Sequence, residues 1–221
     1  SSHSSGAGAG TGQHSVALAS QLQQVAGALQ AILAGRSGSA VLEDVPTALR
    51  PGVQALLFQV LRQLGWAQAI RRQLAPRTPR PPVDALLCSA LALLADAEHL
   101  PYEPFTLVNQ TIEAAKHSSA VRAQAPFINA CLRRFLRERD ALQQAVAQDV
   151  SAQWNHPRWW VQRLQKDHPQ HWQQILQANN SQAPMVLRIN QQKSTLAQYQ
   201  QSLSAIHIEP LSLGDLCLGL R

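Results

Sequence analysis

Apolar positions recur at helical spacing from the start of the readable pattern: Val16, Leu22, Val25, Leu29, Ile32 and Leu33 follow Ser15, a good N-cap, and Gly35 ends the run. A second stripe, Val53, Leu56, Leu57, Val60, Leu61 and Leu64, opens near Pro51, weakens or kinks at Gly65 and continues towards Leu74. Residues 75–82, APRTPRPP, place four prolines in eight positions and predict an extended connector. PVDALLCSALALLAD is apolar nearly all round, as the central helix of a bundle would be. PFTLVNQTIEAAK and VRAQAPFINACLRRFLRERDAL predict two more amphipathic helices. In the second, Phe127, Ile128, Cys131, Leu132, Phe135 and Leu136 face inward, with Arg133, Arg134 and Arg137 off that stripe.

A near repeat follows. His156-Pro157 and His168-Pro169 each stand just before a Trp (Trp160, Trp172) and a Leu (Leu164, Leu176). Proline suits the first turn of a helix because its missing N–H would have no partner there. The main reading is therefore two helix starts with aromatic anchors. A metal site on His168 and His171 lacks an acidic or cysteine ligand at suitable spacing. A stacking platform for unpaired bases stays open, because Trp159 and Trp160 cannot both face one core. After residue 183 the pattern alternates: MVLRIN predicts a strand, residues 194–203 a helix and AIHIEP a second strand. A strand–helix–strand start with no sheet to complete it implies a chain cut short.

The expected architecture is mainly α. A helical bundle covers residues 14–150, a helical connector 151–183 and the start of an α/β part 184–221. Residues 1–13, rich in Ser, Gly and Ala, are expected to be a flexible tail or cloning remnant.

Composition narrows the chemistry. Glycine is absent between Gly65 and Gly214, so no glycine-rich phosphate loop fits in the middle of the chain. Three scattered cysteines, Cys88, Cys131 and Cys217, predict no disulfide framework and fit a reducing cytoplasm. No apolar run reaches membrane-spanning length. A monomer without metal or membrane association is expected.

Charge points to an anionic partner. The net charge is +6, and most cations are arginines, whose planar fork suits phosphate. No acidic residue lies between Asp44 and Asp84, yet Arg50, Arg62, Arg71, Arg72, Arg77 and Arg80 do. Lys116, Arg122, Arg133, Arg134, Arg137 and Arg139 share their stretch with Glu138 alone. The candidate RNA-binding residues are Arg62, Arg71, Arg72, Arg77, Arg80, Lys116, Arg122, Arg133, Arg134 and Arg137. The competing reading is a solvated basic surface.

Three stretches carry a resemblance: NACLRRF at 129–135, NHPRWWVQRLQKDHPQHWQQILQANN at 155–180, and PMVLRIN at 184–190. VLR at 60–62 and VNQTIEAAK fit as well. The order resembles the N-terminal part of the RsmB (Fmu/Sun) family of bacterial rRNA cytosine-5 methyltransferases, over about residues 14 to 221. The resemblance implies a NusB-like, RNA-binding helical bundle ahead of an S-adenosylmethionine-dependent catalytic domain, with ribosomal RNA as partner. The family's Ala-Pro-Gly-Gly-Lys-Thr cofactor loop and its Pro-Cys and Thr-Cys catalytic motifs do not occur in this sequence. Cys88 and Cys131 lie in apolar stripes and read as core, and Cys217 follows Leu216. The expectation is thus no catalytic residue and no cofactor in this chain, S-adenosylmethionine being implied for the longer protein. The alternative is a free-standing NusB-type antitermination factor.

Overall fold

The computed structural model describes residues 10–95 and 102–220, with side chains from Leu18 onward. Contacts divide the chain into two compact units, residues 1–176 and 177–221.

In the first unit, α1 (Gly10–Leu33) begins before Ser15, which lies inside the helix rather than capping it. Leu18, Leu22, Val25 and Leu29, spaced by four, three and four, are all buried, while Leu33 is half-exposed. Gly35, at φ +99°, takes the left-handed position that turns the chain after α1. A short helix that the sequence pattern leaves unread, α2 (Gly38–Glu43), is capped by Ser37 and buries Val41 and Leu42.

The second stripe becomes two helices, α3 (Arg50–Arg62) and α4 (Leu64–Leu74), and the break is at Gln63 rather than Gly65. Gly65 serves another purpose. A Cβ built there would lie 2.2 Å from the Ser151 carbonyl oxygen and 2.9 Å from Asn155 Cα. Only glycine lets that later segment approach so closely.

The connector is shorter than expected, because Pro81 and Pro82 start α5 (Pro81–Ala95). Prolines tolerated in a first helical turn explain the difference. Every residue from Ala85 to Leu94 is buried, and α5 packs against α1, α3, α4, α6 (Pro104–His117) and α7 (Ala125–Arg137). The single helix expected from residue 121 is a 3₁₀ turn (Arg122–Gln124), α7 and then α8 (Arg139–Val146), broken at Glu138. Trp66 and Phe135 meet edge-on at 5.8 Å, tying α4 to α7.

Asp149 caps α9 (Val150–Trp154) through the Ser151 and Ala152 N–H groups. The repeated segment supplies α10 (Arg158–Asp167) and α11 (Trp172–Asn180). Neither proline is the first helical residue, a correction to their expected place: Pro157 is the non-helical residue directly before α10, and Pro169 lies in the turn before α11. Val161, Leu164 and Leu176 form a small core with Trp154, Trp160 and Trp172 around it. The Trp154 and Trp172 rings lie 4.9 Å apart. The repeat builds a packed helical pair, as its helix-start reading expects.

Among the described residues, strand first appears at Met185, in the second unit. β1 (Met185–Arg188) pairs antiparallel with β3 (Cys217–Leu220), which also pairs antiparallel with β2 (Leu211–Ser212). A sheet therefore does form, in the order β1-β3-β2. Between β1 and β2 runs α12 (Leu196–Ser204), opened by a capping box of Thr195 and Gln198. AIHIEP is not a strand. His207 adopts φ +62°, Ile206 is 63% exposed, and Pro210 has no N–H to donate, so pairing begins only at Leu211. Ile189, Leu203 and Leu218 make the core of this unit.

Candidate nucleic-acid interface

The ten cations read from the sequence separate into distinct environments. Arg71 is removed from the interface. It lies on the Ala67–Ile70–Leu74 face of α4 and is 7% exposed. Its Nε is 2.9 Å from Asp84 Oδ1, off the hydrogen-bonding direction, so this contact is an ion pair rather than a directed bond. Its Nη1 donates to Thr78 Oγ1 at 3.3 Å. Arg71 thus clamps α4, the connector and α5 together, and its donors point into the protein.

Asp84 and Cys88 share this buried spot. Burial pushes the Asp84 carboxyl above its usual range, against the opposing pull of Arg71 and the Cys88 thiol. The Cys88 thiol is pushed up to about 12, by burial first and then by the Asp84 carboxylate. A thiol with so little thiolate is a poor nucleophile. Cys131 is also buried, and burial raises its thiol too. Cys217 is half-buried. A thiol reagent should therefore label Cys217 first and reach Cys88 only on unfolding. Mass mapping of the labelled protein checks this, and early label on Cys88 would contradict it.

Arg72 is exposed and pairs with Asp149 at 2.7 Å. Burial would raise the Asp149 carboxyl, but the Ser151 and Ala152 N–H groups and Arg72 outweigh it and hold the carboxyl low. Lys116 pairs with Glu113 and Arg134 with Glu138, both on the surface. Exposed pairs of this kind are worth only about 0–1 kcal/mol, so a phosphate can displace the carboxylate. Arg122 donates Nε to the Lys116 carbonyl, and Arg133 donates Nε to Asn129 Oδ1, leaving further donors on each fork. Arg62, Arg77 and Arg137 make no ion pair or side-chain hydrogen bond among the described residues. Arg62 is half-buried, the other two exposed.

The most organised cationic feature is a groove of ≈ 530 Å³ between the connector and α7, lined by Arg77, Thr78, Pro79, Arg80, Val83, Gln124 and Phe127. Its volume falls within the ~300–1,000 Å³ of ordinary ligand pockets. Two guanidinium groups reach it, and among the described residues its lining holds no acidic side chain. Arg80 Nη2 donates to the Ala120 carbonyl at 3.3 Å, which ties the connector to the turn before α7. The positive end of the α7 dipole adds to the field there. Arg134 lies seven residues beyond Phe127, about 10 Å along the same helix. Thr78, Gln124 and Phe127 were not among the ten candidates. They carry no charge, and Phe127, expected to face inward, is half-buried and forms one wall.

This basic, helical surface belongs to a chain with recognisable relatives. Residues 156–218 match the RsmF/B-like methyltransferase ferredoxin-like domain, a span that crosses the expected boundary at residue 183. The ribosomal RNA small subunit methyltransferase B of Vibrio cholerae is 32% identical over 178 residues, 79% of this chain and 41% of the relative. That of Pasteurella multocida is 30% identical over 197 residues, 86% of this chain and 42% of the relative. The chain belongs to the RsmB family. A further member, from Xylella fastidiosa, is 33% identical over 78% of the chain and 39% of its own length. The chain thus spans about two fifths of the length of these family members. A crystal structure of PH0851 covers 92% of this chain with a TM-score of 0.60 at 12% identity, a likeness of fold. As in sequence, no described helix is long and apolar enough to cross a membrane.

Proposed function

We propose that this chain is the RNA-holding part of a 16S rRNA cytosine-5 methyltransferase that uses S-adenosylmethionine, with a NusB-like bundle presenting rRNA to a catalytic centre elsewhere in the protein. The observation that carries the reading is the Arg77–Arg80 groove, without an acidic side chain among its described lining residues, and the exposed Arg133, Arg134 and Arg137 further along α7, in a chain of the RsmB family. The residues present do not fit the cofactor or the chemistry. The glycine-rich Ala-Pro-Gly-Gly-Lys-Thr loop that the family resemblance implies for the cofactor does not occur in the sequence, which has no glycine at all between Gly65 and Gly214. Its two most buried thiols are held protonated. The chain's part is therefore to bind and orient. The β-containing second unit, most of which falls in the matched 156–218 span, speaks against a free-standing antitermination factor, which would end with the bundle.

Two titrations test the proposal. Calorimetry with S-adenosylmethionine should give no binding heat, and filter binding of a structured rRNA fragment should give affinity that falls steeply with salt. The expected log–log slope is about −0.9 per phosphate neutralised on duplex, or about −0.7 on single strand. Saturable micromolar binding of the cofactor, or RNA affinity indifferent to salt, would overturn it.

A further inference from the structure

The doubled tryptophan of α10 is only half used by packing. Trp160 sits against the small core of Val161, Leu164 and Leu176. Trp159, one residue earlier and about 100° round the helix, is 67% exposed. Its ring meets Trp160 edge-on, with centroids 5.6 Å apart and planes at 69°. Trp160 is thus a fixed backing for the exposed indole, which limits the orientations it can take.

The surroundings of Trp159 are cationic rather than apolar. Arg158 precedes it, Gln162 and Arg163 follow one turn on, and Lys166 two turns on, all exposed. Arg163 carries its own counter-ion, Asp167. Arg158 and Lys166 have no ion-pair partner among the described residues. No second large apolar side chain is exposed on this helix, so the face does not offer the contiguous apolar patch that a protein partner would cover. A lone, braced indole between free cations matches what a single strand needs: a flat face for a base and positive charge for the phosphates beside it.

We propose that the outer face of α10 is a second RNA-contacting surface, on which Trp159 stacks an unpaired base while Arg158 and Lys166 hold the neighbouring phosphates. It lies apart in sequence from the Arg77–Arg80 groove and rests on the reading of this chain as an RNA binder. The division of labour is chemical. The arginine surfaces grip backbone of any sequence or pairing, whereas Trp159 distinguishes a loop or bulge from a continuous duplex, whose bases are already stacked.

The test uses the whole 221-residue chain with two RNA probes, a stem closed by a single-stranded loop and the same stem as a blunt duplex. Fluorescence anisotropy gives affinity, and tryptophan emission reports stacking directly. Wild type is expected to favour the looped RNA and to lose emission on binding it. Trp159→Leu should weaken looped-RNA binding roughly tenfold, abolish most of the quenching and leave duplex binding unchanged, while Trp159→Phe keeps much of the preference. Circular dichroism of Trp159→Leu should match wild type, since the side chain is exposed. Wild-type affinity of Trp159→Leu for looped RNA would overturn the stacking proposal and leave the RNA-binding reading intact. Equal weakening on both probes would also overturn it, since a stacking residue has no purchase on paired bases. No binding of either probe by wild type would sink the RNA-binding reading itself.

Discussion

Arg71→Ala is expected to lower the unfolding free energy by about 3 kcal/mol at neutral pH, within the range for breaking a buried ion pair. The loss arises because Asp84 must either stay charged without its partner or take up a proton, in a position where burial already disfavours the carboxylate. The residual exposure of Asp84, 17% of its side chain, and its ability to take up a proton keep the effect from growing further. In the variant, the folded-state pKa of Asp84 rises further above its unfolded value, because the Arg71 guanidinium that pulls it down is gone. A group raised in this way favours the folded state below its unfolded pKa and loses that contribution as pH climbs through the folded pKa. The deficit should therefore be large at neutral pH and shrink in acid. Urea unfolding at several pH values reads both effects. The double substitution Arg71→Met with Asp84→Leu should recover most of the stability, as buried pairs replaced by apolar side chains often do. An equal deficit in the single and double variants would show that the clamp acts through packing alone.

Gly65→Ala should have a comparable effect for a different reason. In an open helix this change would stabilise by up to about 1 kcal/mol through propensity. Here the new Cβ meets backbone, the Ser151 carbonyl oxygen at 2.2 Å, which no rotamer change can relieve. The approach of α9 to α4 must open, and with it the hydrogen bond from the Trp66 N–H to Asn155 Oδ1 at 2.8 Å. That bond satisfies a first-turn donor of α4 from a distant segment, and it depends on Asn155 holding a left-handed conformation. A cost of about 3 kcal/mol, at the upper end for overpacking, is expected. New protease cleavage between residues 147 and 157 should accompany it. Gly27→Ala is the control: it lies within α1 with nothing within 4 Å of the new Cβ, and should be neutral or stabilising. Equal stability of the two variants would contradict the close-approach account.

The contrast between these residues explains what the sequence made legible. Periodicity located α1, α5, α6 and the off-stripe Arg133, Arg134 and Arg137 because each depends on local spacing alone. The break between α3 and α4 is expected at Gly65, two residues after its place at Gln63, whereas the break at Glu138 is hidden, since apolar spacing continues on both sides without a proline. The six-residue α2 is too short to show a period. Arg71 looked like part of a basic cluster, although its spacing of four from Ala67 and three to Leu74 already places it on the buried face. What no local pattern contains is its partner, Asp84, which lies across the connector. The groove was half visible for the same reason: Arg77 and Arg80 stand out by charge, whereas Gln124 and Phe127 join them only through folding. AIHIEP has strand composition, but its place directly after α12 forces a turn at His207, and only the chain beyond Pro210 can pair.

The central claim, that the arginine surfaces hold phosphate, is tested most directly by charge reversal at positions outside the core. Filter binding of a structured rRNA fragment over a salt series should compare wild type with a variant carrying Glu at Arg77, Arg80, Arg133, Arg134 and Arg137. With folding verified by circular dichroism, the variant should bind weakly, and its log–log salt slope should flatten by about 0.9 for each duplex phosphate that the protein no longer neutralises. A folded variant with wild-type affinity and slope would contradict the account and leave these arginines as a solvated surface.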